Sequence, residues 1–484
     1  MHAAGLFDDL HAGPQVEVVG VREDDLRVRL VAHVAVEDAL DGRRRAYGHE
    51  DRGADDAVVG LQAPRPGVRR RVLVFDCKFH AHLCGKNTQN ISIFGAYFVN
   101  MQLIERILTC YGWEGAALAG VLLLLLGVQL YYYIFVYGRI PGYRNNRRPT
   151  IRETEPPVSV IVPMFSEDYS FVEERLPLIL AQSYPDFEVV IVYVGHDTDF
   201  YADLVRLKQS FPLITTTKIH LDPRFPISRK MALNVGIKSA HYECMVFTST
   251  DACPQTDRWL SLMAKGFMRG DIVLGYCGVE RRKGFTNYMM RTWRMMHAVD
   301  WIARAVRRRP YRGILHNFGF TKHVYFGANG FSHLNMNIGE DDLFLQQVMT
   351  RDNVSVILSP RATLREKVWG GMSWWMGNLR YYGSAFRFYP QAVKNYIQWE
   401  LGSRSLFFLA VICAVAVMPL EYKLGALLLL AARYVTVFVE VRRIAQRLGE
   451  ERLMSRYFIY DLLSPLWALA LGVMLLRRDD RVWR

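Results

Sequence analysis

A long uncharged apolar run extends from residue 115 to residue 137, with the sequence GAALAGVLLLLLGVQLYYYIFVY. Its 23 residues are enough for one α-helix to cross the hydrocarbon core of a bilayer. The basic segment RIPGYRNNRRPTIR follows, and arginines after a span favour the cytoplasmic side. The pattern predicts a transmembrane helix over residues 115–138, with the residues after it in the cytoplasm.

Further apolar segments lie near the C-terminus, at residues 406–420, 424–441 and 458–476. The first is short for a span, and the other two carry Arg433 and Asp461. Crossing helices and re-entrant or interfacial helices both fit such segments. We therefore expect transmembrane or interfacial helices over residues 405–476, with the number of crossings open. Together with the first helix they predict a multi-pass protein of a cell membrane, with the bacterial inner membrane as the expected location.

Between these ends, short buried strands alternate with segments of helical spacing. The runs VSVIV, which we expect to end at Pro163, FEVVIVY and YECMVF are apolar strands. The segments between them, such as FYADLVRLKQSF and SRKMALNVGIKSA, place apolar residues on one helical face. This alternation predicts an α/β domain over residues 157–400, with a mostly parallel, Rossmann-like sheet that is covered by helices on both faces.

Acidic residues follow three of the predicted strands. Ligands of doubly wound sheets bind at the carboxyl ends of the strands. The pattern therefore predicts one acidic rim that contains Glu167, Asp197, Asp199 and Asp251.

A second acidic cluster, Glu340, Asp341 and Asp342, stands in the sequence NIGEDDLFLQQ, between a glycine and an apolar run. Acids at a helix N-terminus cap free N–H groups and complement the helix dipole. The same cluster also fits a catalytic base that acts beside a metal ion. The residues alone leave both interpretations open.

Composition narrows the choice of partners. The chain has 484 residues, 51% of them hydrophobic, and a net charge of +13. A basic balance fits a membrane surface or a nucleic acid. The apolar runs favour the membrane, and we expect no nucleic-acid partner. The seven cysteines are scattered without a C-x-x-C pair, so the spacing indicates neither a disulfide framework nor a zinc site.

The first part of the chain has an unusual composition. Residues 1–76 contain no Lys, Ser, Thr, Asn, Ile or Trp. Solvated tails are usually rich in Lys and Ser. We predict that residues 1–100 are a non-native extension, translated from upstream sequence, or a disordered one. The working protein would then begin at Met101.

Six motifs in the central and later segments resemble those of family 2 glycosyltransferases of the GT-A fold. They are, in order, VSVIVPMFSE, QSYPDFEVVIV, SRKMALNVGIKSA, FTSTDACPQTDRWL, GANGF and GEDDLFL. The resemblance covers roughly residues 115–484 and is greatest to the membrane-anchored type. It implies a GT-A domain, a nucleotide-sugar donor and a divalent cation, Mg²⁺ or Mn²⁺. Such a cation stabilises the diphosphate leaving group.

The resemblance also assigns residues to the donor site. The family's Asp-x-Asp metal motif corresponds to Ser249-Thr250-Asp251 here, so Asp251 is the expected metal ligand and Ser249 replaces the first acid. The family's acid after the second strand is missing, which leaves uridine recognition open. A turn-capping role for Asp251 and a solvated one for Lys230 remain alternatives. The expected nucleotide-sugar-binding residues are Pro163, Glu167, Asp197, Lys230 and Ser249.

On the acceptor side, the resemblance makes Asp341 the expected catalytic base, with Glu340 and Asp342 raising its basicity by charge repulsion. The segment around Arg380 and Tyr381 is similar to the Gln-x-x-Arg-Trp region of processive synthases, but Gly377 replaces the glutamine. We therefore expect transfer of a single sugar. Trp375 joins Arg380 and Tyr381 as an expected acceptor or diphosphate contact. An interfacial aromatic belt is the alternative.

One more segment, YMMRTWRMMHAVDWIARAV, lies between two basic clusters and has an amphipathic pattern. We expect a helix that lies on the inner leaflet, attracted by anionic lipid. A solvated helix face is the alternative.

The sequence as a whole predicts a membrane-bound, inverting hexosyltransferase-type enzyme. It would move a sugar from a nucleotide sugar to a lipid or a membrane-proximal cell-envelope glycan. Two alternatives remain. The chain could be a non-catalytic membrane scaffold that keeps the fold, or a processive polysaccharide synthase.

Overall fold

A computed structural model of the chain describes residues 16–18, 27–36, 69–78, 115–144, 154–220, 228–332, 339, 341–450 and 452–476. The chain forms two compact units, Met1–Glu105 and Arg106–Arg484. The first unit contains an antiparallel sheet of β1 (Val16–Val18), β2 (Arg27–Val36) and β3 (Arg69–Lys78), in that order. The non-native origin of residues 1–100 stays a prediction.

The second unit begins with helix α1, Gly115–Arg139, and is centred on a seven-stranded sheet. The strand order is β12-β9-β11-β7-β4-β5-β6, and β11 alone runs antiparallel to both neighbours. The predicted mostly parallel α/β sheet is confirmed. Its strands are β4 (Val158–Met164), β5 (Phe187–Tyr193), β6 (Ile214–Lys218), β7 (Cys244–Phe247), β9 (Ile272–Leu274), β11 (Phe318–Thr321) and β12 (Val354–Val356).

Strands β4 and β5 are buried along their whole length, as continuous apolar runs in a parallel sheet should be. Helix α4 packs against both, and its Gly236 allows this close approach. A Cβ added there would lie 2.7 Å from a methyl carbon of Ile161. The helices after α1 are α2 (Leu176–Leu180), α3 (Thr198–Ser210), α4 (Arg229–Ser239), α5 (Trp259–Phe267), α6 (Phe285–Val306), α7 (Lys322–Gly327), α8 (Leu343–Val348), α9 (Gly371–Phe386), α10 (Gln391–Val417), α11 (Leu420–Arg447) and α12 (Tyr457–Leu476).

Pro163 lies inside β4, so the prediction that it ends the strand is wrong by one residue. The carbonyl oxygen of Ile161 accepts a hydrogen bond from the Thr248 N–H on the β7 side of the strand. Two residues further along, the nitrogen of Pro163 faces the same side. Strand β7 has already ended at Phe247. The missing N–H of proline therefore costs the sheet no hydrogen bond.

A smaller three-stranded sheet lies beside the main one. Its order is β10-β13-β8, with β8 at Ala252–Pro254, β10 at Cys277–Val279 and β13 at Leu364–Glu366. Because side chains alternate along a strand, the two faces of this sheet carry different residues. Gly278, Arg365 and Cys253 are in register and share one face. Glu366 points to the opposite face.

Helix α6 is buried over most of its surface, so the prediction of a helix lying on the membrane is wrong. Its arginines gave the segment an amphipathic pattern, yet they lie inside the protein. Arg291 forms an ion pair of 2.7 Å with buried Glu450, and Arg294 forms one of 2.6 Å with buried Glu366. Paired charges can be buried, whereas a sequence pattern counts them as surface residues.

Among the residues that the structure describes, three helices are long and apolar enough to cross a membrane: α1, α10 and α11. Large apolar side chains on them face outward, including Leu124 in α1, 67% exposed, and Leu428 in α11, 71% exposed. Such outward-facing leucines fit a lipid environment, and they support membrane association. Helix α12 is 20 residues long and contains Pro465.

The charges that made the C-terminal segments ambiguous pair with each other. Arg433 of α11 and Asp461 of α12 are both fully buried, with Nη1 and Oδ2 2.5 Å apart. Arg404 of α10 also reaches Asp461, at 3.4 Å, and Gln129 of α1 accepts a hydrogen bond from Arg433 at 3.2 Å. Ionisable residues in membrane helices face the interior of the bundle and pair there. This charged cluster links all four helices.

Candidate active site

The carboxyl ends of β4 and β5 meet at Tyr193, the last residue of β5. Its hydroxyl donates to the carboxylate of Glu167, which follows β4. Burial and the nearby Glu167 raise the pKa of Tyr193, and the hydrogen bond from Tyr193 lowers the pKa of Glu167. Glu167 is therefore held as an exposed, ionised carboxylate at the rim of the sheet.

Asp197 is the N-cap of α3. One of its carboxylate oxygens accepts from the N–H groups of Asp199 and Phe200, at 2.8 and 2.9 Å. Its own N–H donates to the Tyr193 hydroxyl at 3.2 Å. The carboxylate thus has a capping role. Recognition of a nucleotide base by Asp197 stays a prediction, and so does the donor role of Lys230, which lies in the first turn of α4.

Asp251 follows β7 at the same edge and is half-buried. Burial and the charge of Glu366 raise its pKa, while Arg175 and Arg229 oppose the shift. Ser249 is buried, and its hydroxyl has no hydrogen-bond partner among the described residues. A carboxylate and an unused hydroxyl therefore occur two residues apart, at the predicted metal position.

The residues near Asp251 fit a cation only if a ligand supplies part of its coordination. Within the described ranges, no three His, Cys, Asp or Glu side chains are grouped to hold a metal ion. Glu366 is engaged by Arg294, and it accepts a hydrogen bond from the Trp374 Nε1–H at 3.1 Å. Magnesium sites completed by substrate phosphates need only one or two protein carboxylates. Asp251 meets that smaller requirement.

The two aspartates of the second acidic cluster have different partners. Asp342 is the N-cap of α8, accepting from the Leu343 N–H at 2.6 Å, and its other oxygen accepts from the Tyr389 hydroxyl at 2.9 Å. Asp341 accepts from the Tyr381 hydroxyl at 3.1 Å and lies 3.5 Å from Arg312. Capping therefore accounts for Asp342 and not for Asp341. Glu340 lies outside the described residues.

Both aspartates are fully buried. Burial and the adjacent charge of Asp341 raise the pKa of Asp342 to about 6. This repulsion was expected to act mainly on Asp341. In the structure, the charge of Asp341 acts on the capping residue, Asp342.

Arg312 organises a buried polar group around Asp341. Its guanidinium lies 4.3 Å from the ring centre of Tyr382 and hydrogen-bonds to His297, at 3.2 Å, and to the Tyr389 hydroxyl, at 3.3 Å. Burial, with Arg312 and Arg294 nearby, lowers the pKa of His297, which keeps that imidazole neutral. Arg312 was not predicted from the sequence. It belongs to the segment RRRPYRG, and no motif distinguishes it from the other arginines there.

Helix α9 carries the residues expected on the acceptor side, but they lie in different environments from one another. Tyr381 is half-buried and contacts Asp341, whereas Arg380 is exposed. Trp375 is fully buried, with its ring 4.7 Å from that of Trp467 in α12. It is therefore a core residue in this structure, unavailable to an acceptor. The same burial excludes Trp375 from an interfacial belt.

A mostly parallel α/β sheet with carboxylates at its carboxyl edge, joined to apolar helices, fits the GT-A architecture that the sequence motifs predict. The family comparison agrees, because residues 159–333 match the model described as Glycosyl transferase family 2. The matched segment, 175 of the 484 residues, is therefore similar to family 2 glycosyltransferases. The match includes Asp251 and ends before Asp341. A comparison with curated protein sequences finds no match.

Solved structures with a similar fold include two glycosyltransferases. The mannosyltransferase PcManGT from Pyrobaculum calidifontis, in complex with GDP-Man and Mn²⁺, is 18% identical. The alignment covers 72% of this chain and 99% of that one, with a TM-score of 0.45. S. aureus TarS 1–349 in complex with UDP-GlcNAc is 15% identical, with 62% and 91% covered and a TM-score of 0.33.

Proposed function

We propose that the protein is an inverting glycosyltransferase that moves a sugar from a nucleotide-sugar donor to a lipid or membrane-proximal glycan acceptor. The observation that carries this proposal is the contrast between Asp341 and Asp342. Asp342 has close partners, the backbone N–H that it caps at 2.6 Å and the Tyr389 hydroxyl at 2.9 Å. The partners of Asp341 are a tyrosine hydroxyl and a distant guanidinium, which suits a carboxylate that exchanges a proton with a hydroxyl.

On the donor side, Asp251 and the Ser249 hydroxyl are the proposed groups that hold a divalent cation together with the donor's phosphates. The cation, Mg²⁺ or Mn²⁺, supplies charge stabilisation for the leaving diphosphate. Glu366 lies behind Asp251 and is neutralised by Arg294, which limits the repulsion between the two carboxylates. Glu167, Pro163, Asp197 and Lys230 are proposed to line the nucleotide part of the site.

On the acceptor side, Asp341 is the proposed general base. The Tyr381 hydroxyl donates to Asp341 as an acceptor hydroxyl would before losing its proton. We infer that the acceptor displaces Tyr381 and takes over this hydrogen bond. The attack would come from the face opposite the leaving group, so the single displacement inverts the anomeric carbon. Exposed Arg380 is proposed to contact the acceptor or the diphosphate.

The membrane location supports an acceptor that is itself at the membrane. Three helices suitable for crossing a bilayer flank the catalytic domain on both sides in sequence. We propose a multi-pass arrangement in a cell membrane, with the catalytic domain in the cytoplasm, because basic residues follow α1. Transfer of one sugar per acceptor is proposed rather than polymer synthesis. Gly377 on α9 offers no side chain that would hold a growing glycan.

A non-catalytic scaffold is the second candidate. Two observations favour it: serine replaces an acid at Ser249, and Asp341 is fully buried. The deciding experiment is a screen in which the purified full-length protein, in detergent with Mn²⁺, is incubated with single nucleotide sugars. We expect release of nucleoside diphosphate from one donor. No release from any donor, with or without membrane lipid extract as the acceptor source, would favour the scaffold.

A further inference from the structure

A cavity of about 510 Å³ lies on the face of the small sheet opposite to Glu366. This volume is within the usual range for small-molecule sites. Side chains of strand β13 alternate between the two faces of the small sheet. Arg365 and Lys367 line the cavity, while Glu366 between them faces Arg294 on the other side. No residue proposed for donor binding or catalysis lines it.

The lining carries an excess of positive charge. Five of the lining residues are basic and two are acidic, with Leu178 and Cys253 among the apolar ones. The basic residues are Arg175, Arg281, Arg291, Arg365 and Lys367, and the acidic ones are Glu174 and Glu280. A concave, positively charged surface concentrates anions.

The ion pairs of the cavity do not neutralise it. Buried Glu450 is the shared partner of Arg291, at 2.7 Å, and of Arg365, so one carboxylate faces two guanidinium groups. The Tyr276 hydroxyl donates to the same carboxylate at 2.8 Å. Lys367 pairs with Glu174 at 3.1 Å, but that carboxylate is 60% exposed. With Asp168, the partner of Arg175, and with Glu280 counted as well, the five basic residues exceed the four carboxylates by one positive charge.

Arg175 supplies donors that lack a partner. It is 4% exposed, and its Nη2 binds Asp168 at 3.0 Å and Ser170 at 2.7 Å. Its Nε and Nη1 are buried and have no hydrogen-bond partner among the described residues. Buried guanidinium donors are normally satisfied. Phosphate oxygens are acceptors that a guanidinium N–H binds well.

The cavity lies close to the expected membrane surface. Gly449 forms part of its wall and follows α11, a candidate span that ends at Arg447. The apolar part of α11 ends at Val441, and the seven residues to Leu448 extend about 10 Å along a helix axis. The polar headgroup layer beside the hydrocarbon core is roughly 5 to 8 Å thick. For a helix along the bilayer normal, the wall at Gly449 therefore lies about 2 to 5 Å outside the headgroup layer.

We propose that this cavity binds a phosphate-bearing anion, and that the anion is the headgroup of an anionic membrane lipid. The arginines hold the phosphate, and Leu178, 46% exposed at the cavity, contacts the glycerol part. Glu366, the last residue of β13, lies between Arg365 and Lys367 in sequence. A ligand bound to those two residues would therefore also affect the position of Glu366 on the opposite face of the sheet. No residue proposed for donor binding or catalysis lines the cavity, but Arg175 also acts on the charge of Asp251.

The test measures ligand binding by the full-length protein in a neutral detergent, and needs no sugar transfer. The probes are dihexanoyl phosphatidic acid, dihexanoyl phosphatidylcholine and inorganic phosphate. The parent protein should bind phosphatidic acid at least tenfold more tightly than the other two. The double variant Arg281→Gln/Lys367→Gln should bind it at least tenfold more weakly than the parent. Both side chains are at least partly exposed, so the variant should keep its melting temperature.

The matched control is Arg309→Gln, which removes an exposed arginine that does not line the cavity. It should change the affinity less than twofold. Equal weakening by the control, or unchanged binding in the double variant, would overturn the proposal. Comparable affinities for inorganic phosphate and phosphatidic acid, both lost in the double variant, would overturn the lipid assignment and identify a soluble phosphate compound as the ligand.

Discussion

The exchange of Asp341 for asparagine tests whether that residue is a base. Asparagine keeps an oxygen that accepts from the Tyr381 hydroxyl, but it cannot take a proton. General-base catalysis is worth on the order of a hundredfold to ten-thousandfold in rate. That range corresponds to about 3 to 5 kcal/mol of activation free energy. Asp341→Asn should therefore abolish most transfer while it binds donor nucleotide normally.

The stability of this variant should change much less. The contact from Asp341 to Arg312 is long, at 3.5 Å, and Arg312 also interacts with the charge of Asp342. Loss of one such contact should cost at most about 1 to 2 kcal/mol in unfolding free energy. A large fall in rate with a small fall in melting temperature is the expected signature.

Asp342→Asn is the matched control, because the adjacent side chain is equally buried and also keeps its capping oxygen. It should transfer sugar within tenfold of the parent rate. The assay is release of nucleoside diphosphate under single-turnover conditions, with melting and nucleotide binding measured on the same preparations. Parental transfer by Asp341→Asn, or equal losses in both variants, would refute the catalytic role of Asp341.

Three other predictions follow. Asp251→Ala should abolish Mn²⁺-dependent binding of a nucleoside diphosphate. The variant should not lose stability, because the substitution removes the repulsion between Asp251 and Glu366. Unchanged affinity for the nucleoside diphosphate would contradict the metal role. Because the pKa of Asp342 is raised to about 6, its contribution to stability should be lost as pH rises from about 4 through 6, by up to about 3 kcal/mol. Between about pH 4 and 6, the melting temperature should depend less on pH for Asp342→Asn than for the parent. An equal dependence on pH would be evidence against the raised pKa of Asp342. Deletion of residues 1–100 should leave membrane insertion and transfer intact, and loss of either would show that the extension is used.

The local pattern of apolar residues was enough to predict the central sheet. Strands β4 and β5 are buried on both faces, so burial favours an apolar side chain at nearly every position in them. The local pattern was insufficient for α6, where the arginines have buried acidic partners more than 70 residues away. A hydropathy scale gives each residue type a fixed free energy of burial. It does not include an ion pair with a residue that is distant in sequence. The same limitation made the segments with Arg433 and Asp461 ambiguous.

The candidate site was predictable in part. Strand ends located Asp251 and Glu167 because sheet topology brings those ends to one edge. The sequence could not separate Asp341 from Asp342, since two adjacent acids before a helix are equivalent until the backbone geometry is known. The two aspartates differ in their side-chain partners, which are Arg312, Tyr381 and Tyr389. These partners come from two other segments of the chain. The burial of Trp375 likewise depends on α12, which follows much later in sequence.

The pairing of Arg433 with Asp461 has a consequence for the order in which the protein is made. Helix α11 leaves the ribosome before α12, so Arg433 is synthesised before its main counterion. An unpaired arginine at the centre of a membrane helix costs about 2.5 to 3.5 kcal/mol on insertion. Until α12 arrives, Gln129 of α1 is the available polar partner. We infer that α11 is held beside α1 during synthesis, and that arrival of Asp461 completes the insertion of the helix pair.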